Sequence, residues 1–182
     1  INIKGIDCHI GSQITELKPF EDSIKKLLEL IDHLESLNIK IEHIDVGGGI
    51  GIQYSKETPP SFYEYSKTVK NIIGNRNLKV IFEPGRVLIG KAGILLTEVE
   101  YVKNSSDKNF LIVNAAMNDL MRPALYQAFH EIINISQSNS DKKNYDVVGP
   151  VCETGDFLGK DRFMSAEEKN ILAILDLSLI HI

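Results

Sequence analysis

The sequence holds only two cysteines, Cys8 and Cys152, in 182 residues. Two thiols so far apart make neither a disulfide scaffold nor a zinc site, and they read as reduced groups of a cytoplasmic protein. Positive charge is outnumbered by negative, with 20 Lys and Arg against 25 Asp and Glu. The net charge is −5 and the isoelectric point about 5.6, which leaves no electrostatic footprint for a nucleic-acid partner. No apolar run approaches the ~20 residues that a membrane helix needs, so a membrane partner is not expected either. Ile1-Asn2-Ile3-Lys4 lacks the basic and apolar regions of a signal peptide and begins without Met, so the true start is expected upstream. Glycine and proline are not enriched, and there is no low-complexity tract or internal repeat. What is present is a hydrophobic fraction of 43%, enough for a substantial core and too much for a disordered chain.

Apolar runs and helical stripes alternate through the first half. Ile3 to Ile10 reads as a strand that ends in a polar corner, His9-Ile10-Gly11-Ser12-Gln13. Pro19 then stands where a first helical residue should be, and Phe20, Ile24, Leu27, Leu28, Ile31 and Leu34 follow at helical spacing to about Asn38. Ile39 to Val46 is a second strand, closed by Gly47-Gly48-Gly49. Ser61 and Glu64 have the spacing of a capping box, Phe62 to Ile73 carries a second apolar stripe, and Gly74 is its stop. Leu78 to Phe82 is a third strand, ending in Glu83-Pro84-Gly85-Arg86. Compact apolar strands with polar C-terminal ends fit a (β/α) barrel, and a doubly wound sheet would give the same local pattern. After about residue 92 the long helices stop. Strands are predicted at Ile94 to Val102, Asn109 to Val113, Ile132 to Ile135, Asp146 to Val148 and Ile171 to Leu175, separated by turn-rich segments.

Each strand end carries chemistry that is weak alone. Gly47-Gly48-Gly49-Ile50-Gly51 can bring backbone N–H groups close to a phosphate, yet a tight turn explains it equally well. It lacks the Gly-Lys-Ser/Thr of a Walker loop and the spacing of a dinucleotide site. Glu83 can face a positively charged ligand, and Arg86 offers a planar cation, a surface ion pair being the alternative. His9 and Ser12 sit at the mouth of the first strand, where Ser12 can donate to a phosphate.

Together, His-x-Gly-Ser, Gly-Gly-Gly and Glu-Pro-Gly-Arg at three successive strand ends resemble the fold-type III pyridoxal-phosphate decarboxylases, with their alanine-racemase-like barrel. The resemblance implies pyridoxal 5'-phosphate as cofactor. It places His9 against the pyridine ring, Ser12 and Gly47, Gly48 and Gly49 on the phosphate, Glu83 on the pyridine nitrogen, and Gly85 and Arg86 in the same corner, with Arg86 also toward the substrate. The physical logic is independent of the family: a protonated pyridinium stores the electrons of a carbanion, and a carboxylate beside the ring nitrogen favours that protonation.

Met117 to Tyr126 resembles the corresponding segment of the diaminopimelate decarboxylases. Arg122 and Tyr126 are four apart, so one helical turn puts both on one face, where they suit a carboxylate. Cys152-Glu153-Thr154-Gly155-Asp156 has that group's Cys-Glu-Ser-Gly-Asp form, with Thr154 for Ser. The resemblance makes Cys152 the proton donor and Glu153 the partner of the substrate's distal ammonium. It makes the working unit a homodimer that shares its active sites, acting on a small amino acid. No metal is expected. Ornithine decarboxylases resemble this fold but carry Asp after the Cys and lack the Arg/Tyr pair. The alternatives are therefore a decarboxylase of another amino acid, such as carboxynorspermidine or ornithine, or a non-catalytic barrel protein that binds the cofactor.

The expected fold is α/β: a partial (β/α)8 barrel over residues 1–92, then part of a mostly antiparallel β domain over 93–182. Two family features are missing. No lysine here lies in the motif of the covalent cofactor lysine, and Lys91 and Lys160 read as surface groups, so the fragment alone is expected to be inactive. The family's C-terminal Tyr loop is also absent. Residues 177–182 are read as a tail foreign to the gene, divergence being the alternative. No catalytic role is assigned to Cys8.

Overall fold

Pro19 lies in the opening turn of the first helix, where its missing N–H costs nothing. The computed structural model describes residues 1–177 and divides at Gly90 into two units. In the first unit, β1 (Gly5–Asp7), α1 (Lys18–Ser36), β2 (His43–Asp45), α2 (Phe62–Ile73) and β3 (Lys79–Ile81) alternate, and a short α3 (Arg86–Ile89) follows. The three strands pair in parallel in the order β1-β2-β3. The unit is a βαβαβ segment of a mixed α/β fold. Among the described residues its sheet stays open: three strands cannot make the first-to-last pairing that closes an eight-stranded barrel.

The helices face this sheet for the reason that their spacing predicts. Phe20, Ile24, Leu27, Leu28 and Ile31 of α1 and Tyr65, Val69 and Ile73 of α2 are buried in one cluster with Ile41, Ile44 and Val46. Ser61 caps α2 in a complete capping box: its hydroxyl accepts the Glu64 N–H at 3.2 Å while Glu64 accepts the Ser61 N–H at 2.9 Å. Tyr65 packs edge-on against Phe20 and Phe82.

The second unit, from Lys91 onward, is a six-stranded sheet. Its strands are β4 (Ile94–Asn104), β5 (Asn109–Val113), β6 (Ile132–Asn134), β7 (Lys143–Val148), β8 (Phe157–Met164) and β9 (Ile171–Leu175), in the order β6-β9-β4-β5-β7-β8. All its ladders are antiparallel except β5–β7. Strand β8 escapes the sequence pattern because Lys160, Asp161 and Arg162 interrupt its apolar run, and Asp161 adopts a positive φ of 53°. The core of this unit joins Val99, Leu111, Leu120, Val147, Leu158, Leu172 and Ile174. Leu177, the first residue of the tail read as foreign, is buried in the same core and its N–H donates to the Gly93 carbonyl at 3.1 Å. Residues 178–182 lie outside the described residues. A single short helix, α4 (Arg122–Tyr126), interrupts the strands.

Candidate functional site

The three parallel strands deliver their corners to one place. The Gly48 N–H donates to His9 Nδ1 at 3.3 Å, and the Glu83 N–H donates to the Gly47 carbonyl at 2.9 Å. Side chains would break this packing. A Cβ at Gly48 would lie 2.1 Å from the Glu83 carbonyl oxygen, and one at Gly49, whose φ is +100°, would lie 2.4 Å from that of Gly11. The glycine triplet is therefore required by the meeting of the corners themselves. The sequence left a tight turn and a ligand loop equally open; the structure supplies the reason for the turn, within which the Gly47 N–H is given to Asp45 and the Gly48 N–H to His9.

Arg86, at the start of α3, reaches back 74 residues to Ser12: its Nε and Nη2 lie 3.3 and 3.1 Å from the Ser12 hydroxyl oxygen. Its Nη1 donates to the Tyr54 hydroxyl at 2.5 Å. The guanidinium is thus fixed between a buried tyrosine and an exposed serine, and the two corners present a cation and a hydroxyl together. Gly85 precedes it as the N-cap of α3.

Negative charge gathers at the same strand ends. Carboxylate oxygens of Asp7, Asp45 and Glu83 lie within 4.8 Å of one another, one acid from each corner. The sequence reading included Glu83 and missed the two aspartates, although each ends a strand. Asp45 is tied down by accepting the Gly47 N–H at 2.9 Å. Burial, reinforced by the Asp45 charge, pushes the Tyr65 phenol up to about 12. Such a donor set suits a group that carries an anion at one end and a cationic nitrogen at the other.

The remaining predicted residues belong to the second unit. Arg122 and Tyr126 do share one helical turn, but not one environment. Arg122 is buried, with Nη1 2.8 Å from His130 Nε2, whereas Tyr126 is 66% exposed. The helix ends at Gln127 in the left-handed conformation, and the Ala128 N–H returns to the Arg122 carbonyl. His130 was missed by the sequence reading; its place eight residues beyond Arg122 follows from this reversal.

Cys152 and Glu153 are exposed in the loop between β7 and β8. The Thr154 hydroxyl donates to Glu153 Oε1 at 3.0 Å and the Gly155 N–H to the same oxygen at 3.3 Å. These two bonds, the hydroxyl's first, hold the Glu153 carboxyl below its ordinary value. Thr154 keeps the hydroxyl that a Ser would supply, so its substitution preserves the bond.

Asp156 anchors the loop from beneath. It is 3% exposed, and its carboxylate accepts the Met117 and Val151 N–H groups, each at 2.7 Å. The two lysines weighed as surface groups are engaged elsewhere: Lys91 pairs with Asp176 at 2.8 Å, and Lys160 lies 4.0 Å over the Phe157 ring.

Comparison with known proteins gives one consistent picture. Residues 15–178 match the family described as pyridoxal-dependent decarboxylase, C-terminal sheet domain, a match that runs across both units. Among curated proteins, the chain is similar to the diaminopimelate decarboxylase of Neisseria meningitidis serogroup A (52% identity over 174 residues, 96% of this chain and 43% of the relative). It is also similar to that of Vibrio cholerae (51% over 175 residues, 96% of this chain and 42% of the relative). Among solved structures it resembles the Helicobacter pylori diaminopimelate decarboxylase complexed with L-lysine. There the TM-score is 0.89 and the identity 38%, with 95% of this chain and 43% of that chain covered. The chain thus spans less than half the length of the relatives it matches.

Proposed function

This chain belongs to the pyridoxal-dependent decarboxylase family, and from that premise we propose that it is an internal piece of a diaminopimelate decarboxylase, the parent enzyme converting meso-2,6-diaminopimelate to L-lysine and carbon dioxide. Residues 1–92 are assigned to the end of a cofactor-binding (β/α)8 barrel and residues 93–182 to part of the following β domain. The observation that carries this reading is the pairing of Arg86 with Ser12 beside the glycine corner, because it joins donors from two strand ends where a phosphate is to be held.

The residues present fit pyridoxal 5'-phosphate. Ser12, Arg86, Gly85 and the glycine corner of Gly47, Gly48 and Gly49 suit its phosphate, although the Gly47 and Gly48 N–H groups are given to Asp45 and His9. His9 suits the ring face. Glu83, with Asp7 and Asp45 nearby, suits a protonated ring nitrogen. When bound, the cofactor supplies an electron sink for the carbanion that loss of carbon dioxide leaves. The protein's own groups do the rest. The Glu83 carboxylate favours the proton on the ring nitrogen by its charge. Arg122 and Tyr126 bind the distal carboxylate, Arg86 is assigned its own contact to substrate, and Glu153, already held in its charged form, binds the distal ammonium. Cys152 returns a proton to the reacting carbon. The reading includes a homodimer with shared sites and a cytoplasmic setting. The 182-residue chain alone is assigned no activity, for want of a lysine placed to anchor the cofactor.

The test is made in a full-length protein carrying this chain. Carbon dioxide release is followed from meso-diaminopimelate, ornithine and carboxynorspermidine. Preference for diaminopimelate is expected, with loss of turnover but retained cofactor absorbance in Cys152→Ala. Preference for either other substrate transfers the reading to that decarboxylase. Failure to bind the cofactor at all sinks it, and near-normal turnover in Cys152→Ala removes the proton-donor role.

A further inference from the structure

We infer that His130 is a positioning residue for Arg122, and through it a determinant of whether a substrate must carry a distal carboxylate. The inference rests on the reading of Arg122 as the group that binds that carboxylate.

His130 is fully buried, and both its ring nitrogens are engaged. Nδ1 lies 2.8 Å from the Leu175 carbonyl oxygen, and Nε2 lies 2.8 Å from Arg122 Nη1. A carbonyl oxygen can only accept, so Nδ1 must carry the hydrogen. A guanidinium can only donate, so Nε2 must present its lone pair. The two neighbours therefore select one tautomer of the neutral ring. A proton on Nε2 would set donor against donor and cation against cation.

That choice of partner has a consequence for charge. A carboxylate in the place of His130 would orient Arg122 equally well, but it would also neutralise it. A neutral imidazole accepts from one of the five guanidinium N–H groups without cancelling the positive charge that attracts an anion. Arg122 is only 7% exposed, so its direction is set by its neighbours rather than by solvent.

The anchor behind His130 is the sheet. Leu175 ends β9, which is paired with β4 on one side and β6 on the other, and its N–H donates to the Glu131 carbonyl at 2.9 Å. The turn after α4, through left-handed Gln127, brings His130 back to Arg122. A path of defined hydrogen bonds thus runs from a central strand to the Arg122 head group.

The test compares Arg122→Met, His130→Phe, His130→Asn and His130→Gln in a full-length protein carrying this chain. Phe keeps ring volume without an acceptor. Asn keeps a donor for Leu175 but falls short of Arg122. Gln offers an acceptor near the Nε2 position. The readouts are the dissociation constants of meso-diaminopimelate and of D-lysine, which lacks the distal carboxylate, by calorimetry, together with KM and kcat. In His130→Phe, diaminopimelate binding and KM are expected to weaken roughly tenfold, the scale of one hydrogen bond to a charged group. D-lysine binding and kcat should stay within about twofold, and His130→Gln should recover most of the loss. If His130→Phe does not melt cooperatively, His130→Asn must show the same selective loss. A variant with intact folding and unchanged diaminopimelate binding overturns the inference. Two patterns separate it from the reading beneath it. An effect of Arg122→Met with a silent His130→Phe sinks the inference alone. No selective effect of Arg122→Met sinks the assignment of Arg122, and the inference with it.

Discussion

The Asp156 carboxylate crosses 39 residues of chain to accept the Met117 N–H at 2.7 Å, while its other oxygen holds Val151, next to Cys152, at the same distance. One buried side chain therefore ties the segment that leads into Arg122 to the loop that carries Cys152 and Glu153. Gly149 makes room for it, since a Cβ there would lie 2.4 Å from an Asp156 oxygen. Asp156→Asn keeps the shape but turns an NH2 toward one of the two N–H donors. A loss of about 2–4 kcal/mol in urea unfolding followed by circular dichroism is expected. The rate of Cys152 alkylation should change with it. A loss below about 0.5 kcal/mol would show that the carboxylate is dispensable.

The glycine corners predict a contrast. Gly48→Ala drives a methyl into the Glu83 carbonyl oxygen at 2.1 Å and should cost about 2 kcal/mol or more, with weakened cofactor binding in a full-length protein. Gly155→Ala meets nothing closer than the Glu153 side chain at 3.7 Å and should be tolerated within about 0.5 kcal/mol. Equal effects at the two positions would contradict the packing account.

Tyr65 predicts a gain. Its ring is buried between Phe20 and Phe82, but its hydroxyl has no hydrogen-bond partner among the described residues. Tyr65→Phe removes a desolvated polar atom and keeps both ring contacts. Stability should hold or rise by up to about 1 kcal/mol, measured as the urea midpoint. A clear loss would reveal a partner for the hydroxyl.

The pH dependence of the second unit has a defined contributor. Burial alone would raise the Asp146 carboxyl, but the Asp161 N–H at 2.9 Å and Lys108 at 2.9 Å outweigh it and hold it below its ordinary value. A depressed folded value means that the contribution is complete above the unfolded pKa of about 3.9 and is lost as pH falls through the folded value. Urea midpoints measured from pH 7 to pH 2.5 should fall more steeply below about pH 4 in the parent than in Asp146→Asn. Parallel curves would assign the acid sensitivity to other groups.

Much of this was legible in the residues themselves. Helical spacing from Phe20 to Leu34 located α1, the Ser61/Glu64 pair located the start of α2, and three polar corners located the candidate cofactor site. These features are local, because periodicity and capping act within a few residues of chain. The second unit was harder to read. Strand β8 is specified by pairing with β7 rather than by its own pattern, which Lys160, Asp161 and Arg162 interrupt. Asp156 was read only as the end of the Cys152 motif and His130 gave no signal, because their decisive partners include backbone atoms of Met117, Val151 and Leu175, which any residue type would supply.

The sequence by itself determined the family, the helices and the corners at the strand ends, since each depends on residue types at short spacing. Only the tertiary structure decided that Arg122 is buried against His130 while Tyr126 stays exposed. It also decided that Asp156 ties its own loop to the distant Met117 segment and that the glycine triplet is demanded by the Glu83 and Gly11 carbonyls. Those relations join residues up to 39 positions apart, and long-range contact is set by how the sheets bring the chain together, which no short pattern encodes.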